Sequence, residues 1–113
     1  MKIKKFHIYL ANLNPQYGVE PGKVRPVVVI QTDLLNNTHP STIVFTVTTH
    51  IIKKSSVLRV HLSKKETNLK KNSDIIVDQI RSIDNKRFIK HIGELNNKHR
   101  QILLENLKVL LFE

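Results

Sequence analysis

Residues 26 to 31 read Pro-Val-Val-Val-Ile-Gln, an apolar run that follows directly on Arg25. A continuous run of this length, rich in β-branched residues, is typical of a strand that is buried on both faces. We therefore predict a central strand at this point, and we expect the rest of the chain to pack around it.

Short strand-like segments lie on both sides of this run. They combine β-branched residues, apolar runs and alternation of apolar with polar positions. We predict further strands at residues 8–13, 42–49, 56–62, 74–80 and 91–95. The polar, lysine-bearing stretch at 63–72 is predicted to loop out.

The segment 42–49 has two unequal faces. Alternation places Ile43, Phe45 and Val47 on one face and Thr46 and Thr48 on the other. We expect the threonine face to be lined by solvent.

The C-terminal stretch has helical periodicity from about Asn97, which is a plausible N-cap. Its leucines form one apolar stripe, at positions 103, 104, 107, 110 and 111. With five or six short strands before this helix, the fold class is mostly β with α. We predict a compact, mostly antiparallel barrel with a C-terminal helix. The length of 113 residues, without internal repeat or linker, predicts one domain over residues 1–113.

The charge balance points to a polyanionic partner. Nineteen Lys and Arg against nine Asp and Glu give a formal charge of +10, and the resulting positive potential attracts polyanions. Nucleic acid is favoured over a membrane, because no basic amphipathic helix precedes an apolar anchor. A basic surface that only aids solubility is the alternative.

The composition also excludes several kinds of site. Cysteine is absent, so disulfides, thiolate metal sites and a cysteine nucleophile are unavailable, and a cytoplasmic location is compatible. The apolar run near the N-terminus is too short for a signal peptide or a membrane span. The six histidines show no pair at metal-ligand spacing on a predicted helix, so metal catalysis is disfavoured and no cofactor is expected.

A few polar residues stand where apolar ones would pack better. Arg25 precedes a buried strand, Thr48 ends another, and Asp78 with Gln79 interrupts a third. Such residues usually have partners or a task, although each could simply cap a strand. His50, close to Thr48, is either a proton donor or a solvated side chain.

Several separated motifs resemble the MazF/PemK family of toxin endoribonucleases. Their order and spacing agree with the family pattern over essentially the whole chain, weakening only in the basic loop and the C-terminal helix. The matching pieces are residues 12–15, Gly18 with Glu20, residues 25–31 with Asp33, residues 41–44 with Thr48, and Ser73 with residues 78–84. One departure stands out, since the family commonly has Gly-Asp where this chain has Phe6-His7.

The resemblance implies an SH3-like β-barrel that pairs as a homodimer and cuts single-stranded RNA at a short sequence without metal. It also implies a cognate antitoxin that silences the toxin. The family's catalytic arginine and threonine fall on Arg25 and Thr48. The RNA-contacting positions fall on Tyr17, Glu20, Asp78 and Gln79.

An arginine and a threonine suit cleavage of RNA by its own 2′-hydroxyl. The 2′-hydroxyl of RNA attacks the neighbouring phosphate, which gives a 2′,3′-cyclic phosphate and a 5′-hydroxyl. The arginine fork donates two hydrogen bonds to the phosphate, and Thr48 adds one hydroxyl donor. The general base is open, because a guanidinium is a poor base. Asp78 is one candidate for the general base. Alternatively, Asp78 and Gln79 recognise the nucleobases of the RNA.

Other parts of the chain are expected to contribute to RNA binding. Tyr17 either stacks on an unpaired base or anchors its loop on the barrel. Six loop lysines would bind phosphates without choosing sequence, at positions 53, 54, 64, 65, 70 and 71. Two rival functions remain, a non-catalytic RNA-binding barrel and a gyrase-poisoning toxin, which would bind DNA and share this fold.

Overall fold

The computed structural model describes residues 1–15, 18–19, 23–54 and 58–113. Within these ranges the chain forms six strands, two α-helices and one 3-10 turn at Asn85–Arg87. The strands are β1 (His7–Asn12), β2 (Val24–Val29), β3 (Ser41–Thr48), β4 (Arg59–Leu62), β5 (Ser73–Asp84) and β6 (Phe88–Glu94). The helices are α1 (Lys64–Thr67) and α2 (Asn97–Phe112).

All six strands belong to one sheet, in the order β4-β5-β3-β2-β1-β6. Every neighbouring pair is antiparallel. The predicted fold class, an antiparallel barrel-like sheet with a C-terminal helix, is therefore confirmed. The sheet is not closed, because β4 and β6 form its two edges.

The apolar run at 26–31 contributes to two cores, which explains why it does not alternate. Val28 packs into the first core with Phe45 and with Leu103 of α2. Val27 and Val29 pack into the second core, on the other face of the sheet. All three valines are fully buried, as expected for a central strand between β1 and β3.

The expectation of a solvent-lined threonine face on β3 is wrong. Thr46 is fully buried, and Thr48 is 8% exposed. The second core covers this face, with Val44 of β3 packed against residues of β1 and β2. The alternation in sequence is thus real, but both faces of β3 are covered from Val44 to Thr48, whereas Ile43 is 39% exposed.

Two details of the C-terminal helix differ from the sequence prediction. The N-cap is Asn96 rather than Asn97, since the Asn96 side chain accepts a hydrogen bond of 2.8 Å from the backbone nitrogen of His99. The leucine stripe is also narrower than predicted. Leu103 is buried, whereas Leu104 and Leu111 are 39% and 55% exposed.

The polar stretch at 63–72 is not entirely a loop. Ser63 caps the short helix α1, and its hydroxyl accepts a hydrogen bond of 3.2 Å from the Lys65 nitrogen. Lys64 and Lys65 therefore lie on a helix, and both side chains are exposed. Across the described ranges, no helix combines the length and the apolar character that crossing a membrane requires.

Phe6 occupies an unusual backbone conformation just before β1. Its φ is 67°, a value that glycine adopts freely and that costs other residues about 1 kcal/mol or more. The ring packs against the first core, and the Arg100 guanidinium lies 5.2 Å from its centroid. Packing and the cation–π contact thus offset the strain at a position where glycine is common in the resembling family.

Candidate functional site

Arg25 lies near the start of β2, at one end of the sheet. Its side chain is half-buried, and it stands opposite Ala11 in the β1–β2 ladder. The neighbouring Val27 belongs to the second core. Because alternate residues share a face, Arg25 projects from the same face as that core.

Thr48 is the last residue of β3 and lies at the same end of the sheet. The register pairs Val27 with Thr46, and two further residues along both strands bring Arg25 opposite Thr48. Directly opposed residues of an antiparallel pair project from the same face. The structure therefore places Arg25 and Thr48 at facing positions on neighbouring strands.

The Thr48 hydroxyl forms a hydrogen bond with the segment that follows β3. Its oxygen accepts a hydrogen bond of 3.1 Å from the backbone nitrogen of His50. A hydroxyl can accept and donate at once, so this bond fixes the oxygen and still lets its hydrogen point to a ligand. The His50 side chain is exposed.

The register carries the same line of positions onto β5 and β4. Asp74 stands directly opposite Thr48 on one side and opposite His61 on the other. Arg25, Thr48, Asp74 and His61 thus form a line across four adjacent strands on one face, which we call the polar row. Most of the sheet around it is apolar.

Asp74 is the buried centre of the polar row. Its carboxylate is fully buried and accepts three hydrogen bonds from nitrogen atoms. The donors are His61 Nδ1 at 2.6 Å, Arg59 Nη1 at 3.2 Å and the Ile52 backbone nitrogen at 3.0 Å. Arg59 also donates to the His50 carbonyl at 3.1 Å. The carboxylate therefore ties the segment after Thr48 to β4.

Asp78 and Gln79 lie outside the polar row. The β3–β5 ladder pairs Thr46 with Ile76 but Phe45 with Ile80, so the residues between them bulge out of register. Asp78 is exposed and Gln79 half-buried. Asp78 is four residues along β5 from Asp74, about 13 Å at about 3.3 Å per residue.

A groove of about 500 Å³ opens at the same end of the sheet. Its lining includes Pro26 and Thr49, the chain neighbours of Arg25 and Thr48, together with Lys70, Lys71 and Lys90. Since successive strand residues alternate, Pro26 projects from the opposite face of β2. The groove and the polar row therefore flank one end of the sheet. In the described ranges, no three His, Asp or Glu side chains are grouped so as to hold a metal ion.

Comparison with known protein families identifies the family of the chain. A family model described as "PemK-like, MazF-like toxin of type II toxin-antitoxin system" matches residues 4–111. The chain belongs to this family. The resemblance seen in the sequence motifs is thereby confirmed.

Solved structures of toxins share the same fold. MazF from Deinococcus radiodurans superposes with a TM-score of 0.84 at 23% identity, over 100% of this chain and 99% of that one. The Mycobacterium tuberculosis toxin MazF-mt6 gives 0.77 at 19% identity, with coverages of 91% and 93%. An endoribonuclease from mycobacterial species, in complex with its cognate antitoxin, gives 0.72 at 15%, with coverages of 95% and 90%.

The sequence predicted two residues of this candidate site. It singled out Arg25 and Thr48, which the structure places opposite each other. Tyr17 and Glu20 lie outside the described residues. It missed Asp74, whose position at the start of an apolar run looked like a strand boundary. The available signal was the alternation in β4, which sets His61 on the face away from the core.

Proposed function

We propose that this toxin is a sequence-specific, metal-independent endoribonuclease of a type II toxin-antitoxin system. It cleaves single-stranded RNA in the cytoplasm, and its substrate is messenger RNA. The observation that carries the proposal is the facing arrangement of Arg25 and Thr48 at one end of the sheet.

The two residues suit the stabilisation of charge on a phosphate. Attack by the 2′-oxygen forms a bond to phosphorus, and the bond from phosphorus to the 5′-oxygen breaks. The negative charge grows on the non-bridging oxygens, which a guanidinium fork binds through two parallel hydrogen bonds. The Thr48 hydroxyl adds a third donor that is already oriented by its bond to His50.

The surroundings of the pair support binding of a single strand. The lysines of the groove lie at the same end of the sheet as the pair but on the opposite face, so an RNA strand that crosses this end of the sheet can bring phosphates outside the cut to them. Asp78 and Gln79 present polar groups where β5 leaves its register with β3. We assign this bulge, with Tyr17 and Glu20, to recognition of bases.

Partner proteins follow from relatives of the same fold. MazF of Deinococcus radiodurans has been solved with MazE, and the mycobacterial endoribonuclease with its antitoxin. We extend this to the present chain, which we propose to act as a homodimer and to be neutralised by a cognate antitoxin. Its net charge of +10 favours an acidic partner.

The test is incubation of purified protein with a long single-stranded RNA in the presence of a chelator. The unaltered protein is expected to give discrete fragments, and Arg25→Ala is expected to give none. Lys108→Ala is the matched control, because it also removes one positive charge, from the exposed side of α2. Intact RNA at high protein concentration would contradict the proposal.

A further inference from the structure

We propose that His61 is the general base of this toxin and that Asp74 is its positioning residue. The inference rests on the proposed RNA cleavage. It addresses the step that Arg25 and Thr48 leave open, namely which group takes the proton of the attacking 2′-hydroxyl.

The His61–Asp74 pair has the geometry of an oriented imidazole. The Asp74 carboxylate is fully buried, whereas the His61 side chain is 44% exposed. Asp74 Oδ1 lies 2.6 Å from His61 Nδ1, a short distance that is typical of a charge-assisted bond. A carboxylate can only accept, so Nδ1 carries the proton and Nε2 is the nitrogen that exchanges one.

The second carboxylate oxygen keeps Asp74 from turning. Oδ2 accepts from Arg59 Nη1 and from the Ile52 backbone nitrogen. Both carboxylate oxygens are therefore engaged, and the orientation of the His61 ring follows from that of the carboxylate. This is the arrangement in which a buried acid selects one tautomer and stabilises the imidazolium that forms during reaction.

The position of His61 fits a substrate held at Arg25 and Thr48. Asp74 is opposite both Thr48 and His61, so all three side chains leave the sheet on one face. Neighbouring strands are about 4.8 Å apart. The axis of β4, which carries His61, is therefore about 10 Å from the axis of β3, which carries Thr48. A nucleotide lying along the polar row with its phosphate at Thr48 brings its ribose towards His61.

The imidazole of His61 suits the role of general base better than the side chains of the other candidates do. Imidazole is the side chain that changes charge between about pH 5 and 8, whereas a guanidinium releases its proton only above about 12. Asp78 lies four residues along β5 from the polar row. The His50 ring is exposed, and among the described residues the bonds of His50 to this site come from its backbone nitrogen and carbonyl.

The proposed step is balanced within the site and the solvent. Nε2 of His61 takes the proton of the 2′-hydroxyl while the 2′-oxygen bonds to phosphorus. The bond between phosphorus and the 5′-oxygen breaks, and the 5′-oxygen takes a proton from water. The imidazolium, stabilised by Asp74, then returns its proton to solvent.

The test is the pH dependence of kcat/KM for cleavage of a short RNA between pH 5 and 9. The unaltered protein is expected to show a limb that rises with pH through the imidazole range. His61→Gln keeps a donor for Asp74, and it is expected to lower kcat/KM about 100-fold or more and to abolish the limb. His61→Asn serves as a second variant if the first does not fold.

Two further variants separate catalysis from a merely structural role. In Asp74→Asn the amide oxygen is expected to face the Arg59 and Ile52 donors, so its NH2 faces His61 Nδ1 and selects the tautomer with the proton on Nε2. We therefore expect kcat/KM to fall about 100-fold or more while KM changes little. His39→Gln is the control, since His39 precedes the opposite end of β3 and bonds to Ser41.

The outcomes distinguish this inference from the proposed function. Cleavage by a folded His61→Gln protein with an unchanged limb overturns the role of His61 and leaves the nuclease proposal standing. Absence of RNA cleavage by the unaltered protein overturns the nuclease proposal and this inference together. Loss of the limb in His61→Gln, with the limb retained in His39→Gln, supports the assignment.

Discussion

Thr48 stands directly opposite Asp74 across the β3–β5 ladder, at the end of a sheet face that is mostly apolar. A buried carboxylate is costly unless it is paired, and here it accepts three hydrogen bonds. Those bonds hold together the segment after Thr48, strand β4 and strand β5. Asp74 thus organises the polar row, which ends at Arg25 on β2 and at His61 on β4.

Replacement of the Thr48 hydroxyl tests its role as a donor to the phosphate. Thr48→Val keeps the shape of the side chain and removes the hydroxyl, so kcat is expected to fall about 100-fold or more. KM should change little, because the lost bond strengthens mainly in the transition state. The measurement is steady-state cleavage of a short RNA.

Thr48→Ser is the matched variant for that experiment. It keeps the hydroxyl that accepts from the His50 nitrogen, so it is expected to retain most of the activity. Thermal unfolding of both variants checks that the protein folds. A folded Thr48→Val protein with unchanged kcat would remove Thr48 from the mechanism.

Salt dependence of RNA binding tests the lysines of the groove. Lys70 and Lys71 line the groove beside Pro26 and Thr49. If each contacts one phosphate, the double change to Gln lowers the slope of log K against log salt by about 1.4, at about 0.7 per contact for single strands. The measurement is binding of a cleavage-resistant RNA at several salt concentrations.

The control for that titration has the same loss of charge elsewhere. Lys98→Gln combined with Lys108→Gln removes two exposed charges from α2 and is expected to leave the slope nearly unchanged. Equal slopes for the groove variant and the unaltered protein would show that the groove does not contact RNA.

Stability towards acid is expected to depend on His99, in the first turn of α2. Burial lowers the pKa of His99, Glu66 acts in the opposite direction, and Lys98 lowers the pKa further. The folded pKa is then below the unfolded value of about 6.5, so the unfolded chain binds the proton first. Stability is present above about pH 6.5 and is lost as pH falls through the folded pKa.

His99→Leu is the variant that measures this effect. Between pH 7.5 and 5, its free energy of unfolding should fall less steeply than that of the unaltered protein, by at most about 1.4 kcal/mol per pH unit. His7, whose pKa burial also lowers, remains in both proteins and accounts for residual dependence. Parallel pH profiles would mean that His99 does not titrate on unfolding.

Local sequence patterns predicted the elements of this fold well. The run at 26–31 became the buried strand β2, and alternation and periodicity located the other strands and α2. Their exact ends depend on tertiary contacts. Asn96 rather than Asn97 caps α2 because its side chain reaches the His99 nitrogen. The burial of Thr46 depended on the second core, which sequence alternation could not reveal.

The candidate site was only partly predictable for a related reason. Arg25 and Thr48 carry a family pattern that is visible in sequence, but their facing positions depend on the register of β2 and β3. Asp74 and His61 are 13 residues apart, and only pairing of β4 with β5 brings them together. Strand pairing is a long-range property, and no local pattern encodes it.

The most direct test of the account is cleavage of an RNA that carries a single 2′-deoxyribose on the 5′ side of a mapped cut. This RNA is expected to bind but not to be cut there, while the all-ribose RNA is expected to yield a 2′,3′-cyclic phosphate and a 5′-hydroxyl. Cleavage of the deoxy-substituted RNA at that site would contradict the account, because the attacking 2′-hydroxyl is then absent.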